Sequence, residues 1–509
     1  MSNAPHTPAP ATTPIDESLE MAQRRQKVAD LRAQGLNPYA NTFVPQHMAS
    51  ALRAEFDGFS KEELNTQFAD KTFTVAGRLM SKREFGKLGF ASLLDTTGRI
   101  QVSFSLGSLG ESYQVFKKLI DIGDIVGVVG HITKTDKGEL TVHATSFELL
   151  TKAVRPLPDK WHGLEDIERR YRERYVDLIV NDHVRHTFTL RSKLLKELRH
   201  FMDSEGFMEV ETPLLHHQAG GAAAKPFSTH HNALDIPLNL RIAPELYLKR
   251  LVVGGFHKVY EVNRNFRNEG VSTRHNPEFT MLESYTAYWK VADTMDFVQS
   301  LITHVVRSLH GTLQLPYGEK TIDFNHWTRL SMRDALLTLG GLTEADLADA
   351  ASLQAAAASR KIHVEKWMDY GQMFAALFEE LCEDKLVNPT FIYDFPLSTS
   401  PLSRAYDANP EWAERAELYV DGKEIGNMFS ELNDPADQAR RFQKQVEDAA
   451  KGNAEAMPYD EDYIRALEHG MPPAGGIGIG IDRLAMLLTN SPSIRDVLLF
   501  PLMKPEAKA

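Results

Sequence analysis

A single cysteine, Cys382, is all that the 509 residues contain. One thiol excludes an internal disulfide and any multi-cysteine metal site, and it fits a reduced, cytoplasmic setting. Apolar runs of bilayer-spanning length are absent, and the first residues are rich in proline, alanine and threonine rather than a charged start followed by an apolar core. Neither a membrane span nor a secretory signal is therefore expected. Positive charge is also short, with 57 Lys and Arg against 69 Asp and Glu and a net charge of −12. That balance excludes wholesale coating of nucleic acid, so any such binding must use a local patch. The composition that remains, 42% hydrophobic and 25% charged, is that of a soluble globular protein. The length predicts two or three domains with ample core.

In chain order, residues 1–16 are poor in large apolar side chains and are expected to form a disordered tail without chemistry. A helical pattern from Glu17 to Gln34 opens an N-terminal extension over 17–70. Its Arg24, Arg25, Lys27 and Arg32 read as a solvated helix face, or as a contact to an RNA backbone. Over 71–152 short alternating runs predict five strands, Phe73–Arg78, Gly89–Leu94, Ile100–Phe104, Ile125–Ile132 and Leu140–Leu149, punctuated by glycines. Five strands so spaced suggest a small barrel of the oligonucleotide-binding type. Between residues 71 and 150 there are ten Lys/Arg against eight Asp/Glu, so this segment is mildly basic in an acidic chain. Phe85 and Phe90 among Arg78, Lys82, Arg83 and Lys87 offer rings for base stacking amid cations for phosphate, although barrels also hold core phenylalanines.

A stretch rich in proline and charge, within 153–182, reads as a linker. An amphipathic helix, His183–Ser204, follows and ends near Gly206. The chain to residue 505 then alternates strands and helices without a parallel βαβ series, which predicts an α+β domain with helices on an antiparallel sheet. An alanine-rich stretch inside 335–365 reads as a peripheral helical insertion.

The densest signal is Phe266 to Tyr285. Extended runs Val259–Glu269 and Phe279–Tyr285 flank a polar loop closed by Asn276-Pro277, predicting two strands joined by a long loop. Period-two geometry puts Arg267 and Glu269 on one face of the first strand, and Phe279, Glu283 and Tyr285 on one face of the second. A cation for phosphate, a ring for a base and a carboxylate for an amine would share that surface. A surface hairpin with ordinary ion pairs would carry the same residues.

Two more constellations matter. Asp421-Gly422 between extended runs marks a two-residue hairpin turn. Pairing Val420 with Lys423 sets Tyr419 opposite Glu424, and makes Glu417 and Glu424 diagonal neighbours about 7 to 8 Å apart. Carboxylates so close are either solvated or share a hard cation, and Mg²⁺ bridging phosphates answers the repulsion. Strict alternation turns Asn427 and Glu431 to the other face, unless a bulge or strand end intervenes. Farther on, Gly475-Gly-Ile-Gly-Ile-Gly480 is a strand that something can approach closely, and is not the GxGxxG dinucleotide fingerprint. Arg483 follows it at a helix N-terminus, where the helix dipole prefers anions, which suits a ligand phosphate or base.

Three of these stretches, Gly206 to Pro213, Phe266 to Glu283, and Gly478-Ile-Gly-Ile-Asp-Arg-Leu484, resemble motifs one, two and three of the class II aminoacyl-tRNA synthetases. With Arg241-Ile-Ala-Pro-Glu245-Leu-Tyr-Leu-Lys-Arg250 and Glu424-Ile-Gly-Asn427-Met-Phe-Ser-Glu431-Leu-Asn433, the resemblance is specifically to bacterial-type lysyl-tRNA synthetases. It covers about residues 20 to 505. It implies ATP-dependent activation of L-lysine and transfer to tRNA(Lys), by a homodimer built partly on the first motif, with Mg²⁺ as cofactor. Arg267 and Arg483 would be catalytic, and they, Glu269, His275, Asn276 and Phe279 would bind ATP. Glu417 and Glu424 would hold the metal. Gly221, Glu245, Glu283, Tyr285, Asn427 and Glu431 would surround lysine. In the barrel, Arg78, Phe90, Gln101 and Glu139 would meet a uridine-rich anticodon. Met428 departs from the glycine that relatives often carry there, which puts the adjoining pocket in question.

A desolvated ammonium needs anionic, hydrogen-bonding partners, which Glu283, Glu431 and Tyr285 can supply. The substrate carboxylate is itself the nucleophile on the α-phosphate, so positioning and charge neutralisation suffice. Two alternatives stand beside this reading. A sibling specific for aspartate or asparagine would need cations where this chain offers carboxylates. An RNA-binding or protein-lysylating relative would tend to lack the barrel.

Overall fold

The computed structural model describes residues 19–158, 164–365, 367–450 and 456–506. The tail expected at 1–16 lies outside them. The chain divides into two units after residue 163.

In the first unit the alternating runs form β1 (Phe73–Phe85), β2 (Leu88–Leu94), β3 (Arg99–Ser105), β4 (Ile125–Lys134) and β5 (Leu140–Thr151). They close into a barrel of order β1-β2-β3-β5-β4, as the spacing predicted. Val75, Leu79, Leu93, Ile100, Val102 and Val142 are buried in the barrel core, and neighbours such as Thr74, Arg78, Ser92 and Gln101 are less buried. Gly130 is needed at a register shift of β4, where a Cβ would lie 2.1 Å from the His143 carbonyl oxygen. The first helix spans Leu19–Ala33. Its Arg24 is buried and donates to the carbonyls of Ile122 and Ala153 at 3.0 Å, and Lys27 pairs with Asp121 at 2.6 Å. These two cations are tied to the barrel, which corrects the reading of Arg24 as part of a solvated face, whereas Arg25 and Arg32 are exposed as that reading expects.

The second unit starts where a linker was expected, and short helices occupy Ile167–Arg172 and Arg174–Val180. Its strands are β6 (Met208–Glu209), β7 (Leu215–His216), β8 (Ser228–His231), β9 (Ile236–Leu240), β10 (Lys258–Phe266), β11 (Glu278–Ala287), β12 (Gln314–Tyr317), β13 (Lys320–Asp323), β14 (Thr328–Ser331), β15 (Thr390–Pro396), β16 (Trp412–Val420), β17 (Lys423–Ser430) and β18 (Ala474–Gly480). Eight of them make the main sheet, in the order β14-β15-β16-β17-β18-β11-β10-β6. Its centre is antiparallel and only the two edge pairings are parallel. With the helices this is the α+β architecture expected.

One face of the sheet buries Leu282, Ile479, Ile477, Met428 and Leu418 in a common core with the helices Asp182–Ser204 and Val291–His310. The first of these helices buries Val184, Leu190, Leu194, Leu198 and Met202, an amphipathic stripe of near-helical period. Within the stretch read as a peripheral insertion, Met332–Thr338 and Ala350–Ser359 are helical, and they share a second core with Phe395 of β15 and Tyr419 of β16. Because side chains alternate across a strand, the other face of the sheet is left to the odd-numbered residues of β11 and their partners.

Candidate active site

Backbone register assembles the site. Glu261, Glu283, Gly478, Asn427 and Glu417 lie opposite one another across β10, β11, β18, β17 and β16. The neighbouring row holds Tyr285, Gly476, Phe429 and Arg415. Glycine at the middle strand of both rows opens space above the sheet. A Cβ on Gly476 would stand 1.9 Å from Glu431 Oε1 and 2.7 Å from Tyr285 Cε1, so those side chains cross where only a hydrogen can sit.

Asn427 joins the row through a bulge. Tyr419 pairs with Glu424 and Leu418 with Gly426, leaving Ile425 without a partner. This extra residue resets the alternation, so that Glu417, Tyr419, Glu424 and Asn427 share one face. Met428 faces the other way and is fully buried in the helix core, so it does not line the cavity.

Two cavities open over this face. One is lined by Arg267, Glu269, His275, Asn276, Phe279 and Arg483, the other by Gly221, Glu245, Glu283, Tyr285, Arg415 and Glu417. Arg267, Met281, Glu424, Asn427 and Gly478 belong to both. All the residues expected to bind ATP thus line the first cavity. Those expected around lysine line the second, except Glu431, which reaches its wall over Gly476.

In the first cavity the Arg267 guanidinium lies 5.1 Å from the centre of the Phe279 ring, and its Nε is buried without a hydrogen-bond partner. Regular β10 pairing ends at Phe266, three residues short of the strand expected to reach Glu269. The Arg267 amide still donates to the Pro277 carbonyl at 2.8 Å, whereas Glu269 stands in the loop. His275 Nδ1 lies 2.9 Å from Ser272 Oγ, and its Nε2 lies 3.3 Å from an Arg483 guanidinium nitrogen. Burial and then the charges of Arg483, Arg267 and Arg274 lower its pKa, which favours a neutral imidazole. Arg483 donates to the Glu424 carbonyl at 2.9 Å and to its carboxylate at 3.2 Å. The preceding Asp482 turns inward, accepting the Thr280 amide at 2.7 Å and pairing with Arg191.

The second cavity is acidic. Burial, then repulsion from Glu245 and Glu261, pushes the Glu283 carboxyl up to about 8, against the pull of Arg267 and Arg241. Glu283 is 4% exposed, and its oxygens lie 3.5 Å from Asn265 Nδ2 and from the Tyr285 hydroxyl. Glu417 is pushed up to about 7 by burial, with Arg415 opposing and Glu424 adding to the shift. It pairs with Arg415 and accepts the Tyr419 hydroxyl at 2.5 Å.

Among the described residues no cluster of three or more His, Cys, Asp or Glu could hold a metal. Glu417 and Glu424 nonetheless fit a hard cation that uses two carboxylates and completes its shell with phosphate oxygens and water. They line one cavity, and the charge of Glu424 adds to the burial that raises Glu417.

Sequence reasoning missed two cations. Arg415 donates from Nε to Asn427 Oδ1 at 3.0 Å while pairing with Glu417; its two-residue spacing from Glu417 already placed both on one strand face. Lys249 is fully buried between Glu245 and Glu431, and only its helical i,i+4 relation to Glu245 could have pointed to it.

The barrel, described by itself, carries a polar outward face. Phe90 pairs across to Ser103, which pairs with His143, and Ser92 pairs to Gln101, which pairs with Thr141. Phe85 is 63% exposed, and its ring meets that of Phe90 edge-on at 6.3 Å. Gln101 donates to Thr141 Oγ1 at 2.9 Å. Arg78, half-buried on the same face, donates to the Gly123 carbonyl at 2.7 Å. Glu139, exposed just before β5, accepts Arg53 at 2.6 Å.

Comparison with known proteins fits this geometry. Residues 166–504 match the family model for class II tRNA synthetases (D, K and N), and residues 73–150 match an OB-fold nucleic acid binding domain. The lysine–tRNA ligase of Carboxydothermus hydrogenoformans is 54% identical over 484 residues, covering 95% of this chain and 97% of that protein. That of Magnetococcus marinus is 53% identical over 498 residues, covering 96% and 98%. The lysine–tRNA ligase of Xanthomonas campestris pv. campestris is 52% identical over 509 residues, covering 98% and 99%.

Proposed function

The chain belongs to the class II tRNA synthetases, in the lysine–tRNA ligase family, and from that premise we propose that its two cavities activate L-lysine with ATP and pass it to tRNA(Lys). A lysine carboxylate oxygen attacks the α-phosphorus of ATP. The bond from that phosphorus to the bridging oxygen breaks, and pyrophosphate leaves. A terminal ribose hydroxyl at the tRNA 3′ end then attacks the activated carbonyl and gives up its proton, and AMP departs.

The observation that carries this reading is the shared wall. Arg267 borders both cavities, so one guanidinium can meet the lysine carboxylate and the α-phosphate together. Holding the two reactants in line is the larger part of such catalysis. Phe279 carries the adenine, Arg483 and His275 meet the phosphates, and Glu269 and Asn276 complete the nucleotide contacts. Gly221, Glu245, Glu283, Tyr285, Asn427 and Glu431 enclose lysine. Glu417 and Glu424 would hold Mg²⁺, which when bound neutralises phosphate charge. Arg78, Phe90, Gln101 and Glu139 read the anticodon, with base stacking on Phe90. The enzyme acts in the cytoplasm as a homodimer built partly on residues 206–213.

The family model spans enzymes for aspartate, asparagine and lysine. The buried acids favour lysine, because Lys249 and Arg415 are already paired with Glu245, Glu431 and Glu417, which leaves a carboxylate side chain placed beside Glu245 and Glu283 to meet like charge. The test is amino-acid-dependent exchange of pyrophosphate into ATP. Lysine should support it and aspartate and asparagine should not; exchange with aspartate but not lysine would overturn the assignment.

A further inference from the structure

Lys249 is a buried cation beside the acids of the second cavity, and the proposed reaction does not use it. It sits one helical turn after Glu245 on the helix Glu245–Val253 and is fully buried. Its Nζ lies 2.7 Å from Glu245 Oε1 and pairs with Glu431 Oε2. It also stands over the rings of Phe429 at 5.4 Å and Tyr285 at 5.9 Å, two residues that line the cavity. Burial works against its charge, but Glu245, Glu431 and Tyr463 outweigh it and hold the ammonium charged.

This placement fixes how many carboxylate oxygens are left for a ligand. Lys249 takes one oxygen of Glu245 and one of Glu431. The remaining oxygen of Glu431 hangs over Gly476 at the cavity wall. The third acid, Glu283, has Asn265 near one oxygen and Tyr285 near the other. Neither Glu245 nor Glu431 therefore offers both oxygens of its carboxylate, and each Glu283 oxygen already faces a donor at 3.5 Å. An ammonium is a compact point charge with three independent donors, and it can collect single oxygens from several acids. A guanidinium is a planar fork that pairs best with both oxygens of one carboxylate.

We propose that Lys249 is a specificity-determining residue: by occupying one oxygen each of Glu245 and Glu431, it leaves a site that accepts an ammonium and refuses a guanidinium. The inference rests on the lysine-ligase reading and adds to it a built-in reason why longer cationic amino acids fail. Lys249 acts from behind the cavity, through the two carboxylates.

The test compares L-lysine with L-homoarginine, in which the ε-ammonium is replaced by a guanidinium on the same chain. Pyrophosphate exchange is measured for the full-length protein and for Lys249→Met, whose side chain has similar length and no charge. In the wild type, homoarginine should inhibit lysine-dependent exchange with an inhibition constant at least 100-fold above the lysine KM. In the variant, the preference in kcat/KM for lysine over homoarginine should fall at least tenfold, with the KM for ATP within twofold of wild type. An unchanged preference in a folded variant would overturn the proposal, since exclusion by size alone would survive the substitution. Should Lys249→Met not fold, the same comparison is made on Lys249→Gln, and inhibition of the wild type by homoarginine near the lysine KM would in either case overturn the proposal. Absence of lysine-dependent exchange in the wild type would instead overturn the ligase reading, and the inference with it.

Discussion

Asn427 stands directly opposite Glu417, although strict alternation from the Asp421-Gly422 turn would have turned it away. The unpaired Ile425 makes the difference. It sends its own side chain into the helix core and delivers Asn427 to the reactive face, where Arg415 binds both Asn427 and Glu417. The Glu417 carboxylate and the Asn427 amide are thus held in one hydrogen-bonded unit at the second cavity.

That arrangement separates the roles of two adjacent residues. Asn427→Ala should lower kcat/KM for lysine at least tenfold while leaving the thermal midpoint nearly unchanged. Met428→Ala should do the reverse, costing about 2–5 kcal/mol of stability through a core cavity while leaving the lysine KM near wild type. Thermal melts and pyrophosphate exchange on the two variants decide it, and an exchange of roles would place the bulge wrongly.

Gly476→Ala should damage lysine binding selectively. The added methyl would fall 1.9 Å from Glu431 Oε1 and 2.7 Å from Tyr285 Cε1, so both side chains must move. The lysine KM should rise more than tenfold with the KM for ATP within twofold. An unaltered lysine KM would show that neither side chain matters to the amino acid.

Lysine binding should release a proton below about pH 8. The free enzyme holds Glu283 near 8 because it is buried beside other acids, so at pH 7 the carboxyl is mostly protonated. An incoming ammonium favours the ionised form, lowers that pKa and expels the proton. Affinity for lysine should therefore strengthen from pH 6 to 8, by at most about tenfold per pH unit. The same raised pKa makes Glu283 stabilise the free fold most at low pH, a contribution lost as pH rises through about 8. Calorimetric titration at pH 7 in buffers of different ionisation enthalpy should show release approaching one proton, and Glu283→Gln should abolish it.

In the barrel, Phe90→Ala should weaken charging through tRNA affinity by about 1–3 kcal/mol, the usual loss for one stacked base. Pyrophosphate exchange without tRNA should be unaffected. An equal loss in that exchange would remove Phe90 from anticodon recognition.

Alternation and turn chemistry made much of this molecule readable beforehand. Phe279, Glu283 and Tyr285 do share one strand face, and the Asp421-Gly422 turn does pair Val420 with Lys423 and Tyr419 with Glu424. The barrel strands follow their valines and isoleucines closely. Other features escaped because a period carries no information about them. A bulge leaves no mark in a two-residue repeat, so the placement of Asn427 stayed open. Glu269 reads as strand by extension of the pattern, yet the loop peels away after Arg267. Lys249 reads as an ordinary charged helix residue, since the two acids that bury it come together only when β17 folds beside the helix. Of the cations of the first helix, Arg25 and Arg32 are exposed as a solvated stripe would be, while Asp121 and the Ile122 and Ala153 carbonyls claim Lys27 and Arg24.

The most direct test is a crystal structure of the protein with lysine and a non-hydrolysable ATP analogue. The lysine ε-ammonium should lie within hydrogen-bonding distance of Glu283, and Arg267 should contact both the lysine carboxylate and the α-phosphate. An ammonium bound away from Glu283, or an Arg267 touching neither group, would contradict the account.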